Sequence, residues 1–543
     1  MSSMNTDQWT LEQKIGQLFV CGFHDIVPDA QVETLIADYQ IGGVIYFRRN
    51  IGTPQQIHQL SIELQQQAHH QGLPPLLIAI DQEGGMVSRI DQEELSLIPG
   101  NMSLGATGDP AWTAAASSIS ARELRALGIN VNFAPCVDVN NNPRNPVIGV
   151  RSYSEKPDIV AAHGVAAITA MQEQGVAATA KHFPGHGDTE VDSHYGLASV
   201  LHDVQRLEQI ELLPFRAAIT ADTDLIMSAH VIFPAFEPDS IPATLSHRVL
   251  TGLLRQQLGF DGVIVTDCLE MHAIAKHFPI PEATVMALEA GADLLLVSHT
   301  LQEQIAAIEA VRHAVEQGRI SEQRIDESVT RILQLKARRQ MDRQPMSEQE
   351  WLPLLGNEQS ADVLRAIAAR SITVVKDDHQ LPLQPAADGK QGLVIWPQLS
   401  RRTEVAEAVG HDRNLAEVLT SLGLPAERLI IGTEPDAEER LVTLQKAQQS
   451  GFVVQVTYTS TGQLPAEQAQ LTQCLHEQLR VPLIVVSMRN PYDLNELPEL
   501  RTYICTYENR KYAVEALAAV LAGTETATGK LPVSLNADYT VQI

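Results

Sequence analysis

The segment from Lys181 to His194, KHFPGHGDTEVDSH, packs three histidines, a lysine and three carboxylates into one stretch. Its glycines and proline make it too irregular for a helix or a strand, so these groups sit on a loop. At its far tip Asp192 and His194 are two residues apart. That spacing lets a carboxylate hold an imidazole in one tautomer and support its cationic form, as a proton-passing histidine requires. The competing reading of an isolated Asp-x-His pair is a solvated polar loop. Just upstream, the apolar run from Gly175 to Ala180 reads as a buried parallel strand, so the loop leaves a sheet at a strand's C-terminal end. In α/β folds that end carries the chemistry.

The elements that must position this loop follow a repeating pattern. Short apolar runs at 18–22, 43–47, 75–81, 131–139, 176–183, 225–231, 262–267 and 292–298 alternate with amphipathic segments such as 54–71, 111–127, 157–174 and 201–220. Alternation of this kind predicts βα units, and about eight of them close into a TIM-type barrel. Several runs end in a chemically useful residue: Asp81, Asp138, Lys181 with His182, His230 and Asp267. An aspartate at such a place can simply cap the next helix. A barrel mouth, however, gathers strand ends from around the whole rim, so these positions can converge.

Helical patterns at 301–316 and 321–340 complete the first domain. The stretch 343–357 then loses periodicity and gains proline and charge, which reads as a linker. Beyond it, strand-like runs recur at 371–376, 393–396, 429–432, 453–458, 483–488 and 502–507. The predicted architecture is α/β: an N-terminal (β/α)8 barrel over 1–342, a linker over 343–357 and a smaller layered α/β domain over 358–543. With neither a GxGxxG fingerprint nor a P-loop, the second domain does not read as a nucleotide site.

Composition limits the partners. With 39 Lys and Arg against 66 Asp and Glu, the net charge of −27 provides no footprint for nucleic acid or an anionic membrane surface. No run is apolar for long enough to span a bilayer, and the N-terminus lacks the pattern of a secretory signal. Five scattered cysteines without CxxC spacing point to reduced thiols and a cytoplasmic protein, and Cys21 reads as a buried strand residue. A zinc site built from His182, His186, His194, Asp188 and Asp192 fits less well than acid–base chemistry, because the spacing is irregular on a Gly-rich loop. The expectation is no metal and no cofactor. Without a G-x-S-x-G elbow, a serine triad has no support.

The loop closely resembles the signature of the β-N-acetylhexosaminidases of glycoside hydrolase family 3. That resemblance implies that Asp192 and His194 act together as general acid/base, and that Lys181 and His182 contact sugar hydroxyls. Similar family segments place a nucleophilic aspartate at Asp267, within GVIVTDCLEM, and a hydroxyl-accepting aspartate at Asp81, within DQEGGMVSR. In the same way Arg89 and Arg151 are matched to sugar-contacting arginines, Arg89 having as its alternative a surface pairing with Asp91 or Glu93. The loop at Asn145 is expected to shape the pocket around the acetamido group, while His230 is as readily a structural wall residue as a ligand contact. Asn101 stands where relatives usually carry proline, with an expected effect on loop stiffness only. More loosely, Asn490-Pro491-Tyr492-Asp493 and 529–533 extend the resemblance through the second domain, which either restricts substrate at the mouth or stabilises the barrel.

The implied activity is an exo-acting, retaining β-N-acetylglucosaminidase working on peptidoglycan fragments through a covalent glycosyl-aspartate. Its small carbohydrate substrate is an N-acetylglucosamine-containing muropeptide or disaccharide. A phosphorylase using phosphate as acceptor, a β-glucosidase or xylosidase, and a non-catalytic sugar-binding protein are the alternatives.

Overall fold

A computed structural model describes residues 8–190, 197–398, 413–459 and 463–543. Eight parallel strands form the first sheet: β1 (Phe19–Cys21), β2 (Gly43–Tyr46), β3 (Leu77–Ile80), β4 (Val131–Asn132), β5 (Ala177–Phe183), β6 (Leu225–Ser228), β7 (Val263–Thr266) and β8 (Leu295–Val297). Each pairs with its sequence neighbour, β8 also pairs with β1, and a parallel bridge between Val265 and Leu294 closes the ring. Every barrel strand is buried along its whole length, which is why these runs read as continuously apolar rather than alternating.

The crossover helices begin where local chemistry dictates. Thr53 and Asp109 accept backbone N–H bonds at the starts of helices Pro54–His70 and Pro110–Ala126, each with proline in its first turn. Helix Pro157–Glu173 also opens on proline. The single helix expected over 201–220 is in fact two, Val204–Gln209 and Leu212–Thr220. Between them, buried Glu211 accepts bonds from Asn141 and Arg206, tying the break to the loop after β4. Hydrophobic period alone does not reveal such a break.

The two ends of the barrel differ in chemistry. At the N-terminal ends of the strands, Asp224 pairs with Arg339, and Asp293 is ringed by Arg255, Arg324 and Arg331. There, too, Lys336 donates from full burial to Gln17 Oε1 and Gly42 O, and burial lowers its pKa to about 7. These groups lie on the face that stabilises a barrel; the opposite face holds the long loops.

Residues 343–357 are less irregular than their composition suggests. Ser347 and Glu350 form a capping box for the short helix Glu348–Trp351, and Trp351, 2% exposed, stacks on His58 with ring centroids 4.9 Å apart. Leu364 and Ile367, on the following helix Glu358–Ser371, join the hydrophobic core of the barrel.

The second sheet contains β9 (Thr373–Asp377), β10 (Gly392–Pro397), β11 (Ala426–Ile431), β12 (Val453–Thr457), β13 (Leu483–Ser487) and β14 (Thr502–Cys505). Its order is β9-β14-β13-β12-β10-β11, parallel except for β9, which runs antiparallel at one edge. Alternate side chains serve opposite faces. Leu393, Ile395, Val453 and Val485 share a core with Met102, Ala106 and Val150 of the first domain, whereas Val394, Val454, Ile484 and Val486 pack on Val514 and Leu517. All five cysteines are free, and Cys21 is buried in β1. Among the described residues, no helix is long and apolar enough to cross a membrane.

Removing the Trp351 ring should open a cavity where the chain leaves the barrel. Trp351→Ala is expected to destabilise the protein by about 3–5 kcal/mol, read by chemical or thermal unfolding.

Candidate active site

The C-terminal ends of the barrel strands surround a cavity of about 500 Å³. Asp81, Glu83, Arg89, Arg151, Lys181, His182, His186 and Asp267 all line it. Two consecutive residues of β5, Lys181 and His182, both reach this space, although a regular strand sends neighbours to opposite faces. The pairing of β5 with β6 shifts register between Lys181 and Phe183, and this irregularity accounts for the departure from alternation.

At the centre is Glu83, whose side chain is 2% exposed. Arg151 grips it with both arms of its guanidinium, Nε to Oε2 at 2.9 Å and Nη2 to Oε1 at 2.7 Å. Lys181 Nζ lies 2.7 Å from the same Oε1 and donates to Asp81 Oδ1 at 2.8 Å. Arg89 Nη2 approaches Asp81 Oδ2 at 3.6 Å. Burial alone would raise the Glu83 pKa, but Arg151 and Lys181 hold it well below the usual carboxylate range. Burial would likewise lower the Lys181 pKa, yet Asp81 and Glu83 raise it above its ordinary value. The cluster is therefore a fixed array of charges with few groups left to rearrange.

Arg151 is largely occupied by protein. Bonds to Glu83, to Val147 O and to His182 Nε2 use four of its five N–H donors, leaving one on Nη1 for a ligand. Its backbone carbonyl accepts from Asn101 Nδ2 at 2.7 Å. Asn101 thus holds the main chain that carries Arg151, a closer link to the site than loop stiffness.

His182 is oriented from behind. Its Nδ1 lies 2.7 Å from Asp138 Oδ2, and its Nε2 lies 3.4 Å from Arg151 Nη2. An ionised carboxylate only accepts and a guanidinium only donates, so the imidazole carries its proton on Nδ1. Asp138 also accepts from the backbone N–H groups of His182 and His186. Its pKa, which burial would raise, is brought down to about 2 by His182 and these bonds. Burial lowers the His186 pKa to about 4, and His186 Nδ1 lies 3.0 Å from Thr189 Oγ1.

Asn145 ties the two flanking loops together. Its Nδ2 donates to His186 O and Gly187 O, while its Oδ1 accepts from the N–H groups of Val147 and Ile148. The antiparallel pair Gln82–Gly84 and Val87–Ser88 presents Glu83, and its turn depends on glycine. At Gly85, with φ at +57°, an added Cβ would lie 2.6 Å from Gly100 Cα.

Arg89 is buried in the cavity wall beside Asp81 rather than lying on the surface. His230 has both ring nitrogens within bonding distance of protein atoms, Thr244 Oγ1 and Cys268 O. Asp267 lines the cavity, with Oδ1 accepting from Cys268 N at 2.7 Å. Asp192 and His194 lie outside the described residues. The chain approaches them through buried Thr189 and leaves them through Ala198–Ser199, which pairs with Val231–Ile232.

Among the described residues, two groups of side chains have ligand atoms close enough to share a metal ion: Cys136 with Asp138 and His182, and Cys268 with Glu270 and His299. In the first, Cys136 Sγ and His182 Nδ1 both hydrogen-bond to Asp138 Oδ2. In the second, Glu270 accepts from the N–H groups of Ser298, His299 and Thr300, and Arg49 sits against the imidazole. The first group includes His182; neither contains His186 or Asp188.

Residues 10–335 match the model of the glycosyl hydrolase family 3 N-terminal domain. The chain belongs to glycosyl hydrolase family 3. A family 3 β-N-acetylglucosaminidase structure from Paenibacillus sp. str. FPU-7 superposes with a TM-score of 0.92 at 46% identity, covering 98% of this chain and 100% of that one. Beta-hexosaminidase A of Pseudoalteromonas piscicida is 34% identical over 93% of this chain and 91% of its own. A β-N-acetylglucosaminidase/β-glucosidase of Cellulomonas fimi is 32% identical, covering 84% of this chain and 83% of its own. These similarities span both domains of this family 3 chain.

The Asp138 network makes stability in acid depend on that residue. Its folded pKa, about 2, lies below the ordinary 3.8, so the unfolded chain binds the proton more readily. The stabilisation is complete above about pH 4 and is lost as pH falls toward 2. In urea unfolding between pH 5 and 2, Asp138→Asn is expected to be less stable than wild type at pH 5 and to show a shallower decline.

Proposed function

We propose that this chain is an exo-acting, retaining β-N-acetylglucosaminidase that removes terminal non-reducing N-acetyl-β-D-hexosamine. The observation that carries the reading is the cavity itself: Asp267 shares it with the Asp81–Lys181–Glu83–Arg151 array. A cavity of about 500 Å³ suits one sugar and part of a second. The near relatives named as β-hexosaminidase and β-N-acetylglucosaminidase support the choice of sugar.

In this reading Asp81 accepts bonds from ring hydroxyls, Lys181 and Arg89 supply further polar contacts, and His182 Nε2 exchanges its 3.4 Å bond from Arg151 Nη2 for one from a sugar hydroxyl. Arg151 acts chiefly on Glu83, with one N–H left for the sugar. Asp267 attacks the anomeric carbon while His194, oriented by Asp192, protonates the departing oxygen. The C–O bond to the leaving group breaks as the bond to Asp267 forms. Water, deprotonated by the same histidine, then displaces the aspartate, and the two inversions retain configuration. The family resemblance supports the finer reading that the substrate is a peptidoglycan fragment, N-acetylglucosamine joined to a muramic-acid unit, met in the cytoplasm.

A second reading, β-glucosidase activity, is favoured by the dual name of the Cellulomonas relative. Turnover of an aryl N-acetyl-β-glucosaminide beside the matching glucoside, with and without phosphate, separates the candidates. Wild type is expected to prefer the N-acetyl substrate and to be indifferent to phosphate. His194→Ala is expected to lose 10²-fold or more on poor leaving groups, a typical size for a general acid/base. Preference for the glucoside, formation of sugar 1-phosphate, or wild-type behaviour of His194→Ala would each overturn a named part of this assignment.

A further inference from the structure

Among the described residues, every side chain lining the large cavity belongs to the barrel, from Ile45 to His299. The second domain nevertheless holds the loop that delivers Arg151. Asn490 stands just beyond the end of β13, is 2% exposed, and accepts the N–H of Val150 on its Oδ1 at 3.1 Å. The same side chain presses on Gly149, where φ is +44° and an added Cβ would lie 2.4 Å from Asn490 Oδ1. Two residues on, Tyr492 accepts on its hydroxyl oxygen from Asn140 Nδ2 at 2.7 Å. At the far end of this loop, Ser154 donates to Pro532 O, and Glu155 accepts from the N–H and hydroxyl of Ser534.

Asn490 is itself firmly placed. Its carbonyl accepts from Ser487 Oγ at 3.0 Å, and the Asp493 that follows accepts from Thr457 Oγ1 and Thr459 Oγ1 at 2.5 and 2.6 Å. On the barrel side, Gly149–Arg151 is a single 3₁₀ turn in which Arg151 N donates to Ile148 O. Val150 N–H is the middle donor of that turn and lies in a buried residue, so loss of its acceptor would leave it unsatisfied. The next side chain along is Arg151, whose bidentate grip fixes Glu83 and, through Lys181, Asp81. A guanidinium fork tolerates little displacement before one arm disengages.

We infer that Asn490, from the second domain, is a positioning residue for the barrel's sugar pocket: it fixes the turn from which Arg151 reaches Glu83. The inference rests on the reading of that cavity as the glycoside site. It gives the second domain a part in activity that is exerted through the barrel's own side chains.

The test compares kcat/KM on the aryl N-acetyl-β-glucosaminide for Asn490→Leu, Asn490→Asp and Tyr492→Phe, with Asn490→Leu also placed in an Arg151→Lys background. Asn490→Leu is expected to lower kcat/KM tenfold or more, chiefly through KM. Asn490→Asp retains an acceptor oxygen and should stay within threefold of wild type, as should Tyr492→Phe, which leaves the Val150 contact intact. In the Arg151→Lys background the leucine substitution should cost less than twofold, because residues acting through one another are not additive. If Asn490→Leu does not fold, Asn490→Ala replaces it. Equal losses from Asn490→Ala and Tyr492→Phe, an undiminished effect in the Arg151→Lys background, or a leucine variant within twofold of wild type would overturn the inference. Wild type that neither turns over nor binds N-acetyl-glucosaminides would overturn the functional reading and this inference with it; active wild type with unaltered variants would overturn this inference alone.

Discussion

The buried carboxylate of Glu83, held between Arg151 and Lys181, is the interaction on which the rest of the site depends. A carboxylate so enclosed is costly unless opposite charges and hydrogen bonds surround it, and here both cations approach within 2.7 Å. Each partner is thereby fixed for a second task. Lys181 is held against Asp81, and Arg151 against His182 Nε2. Three elements far apart in sequence, the hairpin after β3, the loop after β4 and the end of β5, are bound to one another by these charges. Polar groups preorganised in this way are suited to recognising hydroxyl groups without rearrangement on binding.

Behind that array lies a second layer that faces no cavity space. Asp138 orders His182 and the start of the loop toward His186, and Asn145 joins that loop to the turn before Arg151. Asn490 and Tyr492 continue this support into the second domain. The barrel's mouth is thus braced from two sides, while its opposite end is locked by the Asp224 and Asp293 ion pairs.

Much of this was legible in the sequence, for physical reasons. Barrel strands are buried on both faces, so all eight appeared as short apolar runs, and the four inner strands of the second sheet appeared in the same way, whereas its edge strands β9 and β11 are only partly buried. Residues at strand ends, Asp81, Lys181, His182 and Asp267, were visible because the topology brings such ends to one mouth. Glu83 carried no comparable signal: it lies two residues past Asp81, on a hairpin whose pairing depends on Gly84 and Gly85. The links of Asn101 and Asn490 to the Arg151 loop were equally hidden, since side-chain to backbone bonds between distant segments leave no periodic trace. The break near Glu211 escaped notice because both halves of the helix share one hydrophobic period.

In the proposed mechanism Asp267 is the group that attacks the sugar held by this array. Its most direct test is intact-protein and peptide mass spectrometry after incubation with a 5-fluoro N-acetylglucosaminyl fluoride, which slows release of a covalent intermediate. The expected result is one added N-acetyl-fluoroglucosaminyl group, located on the peptide containing Asp267 and absent from Asp267→Asn. Label on a different carboxylate, or none while the probe is turned over, would contradict it.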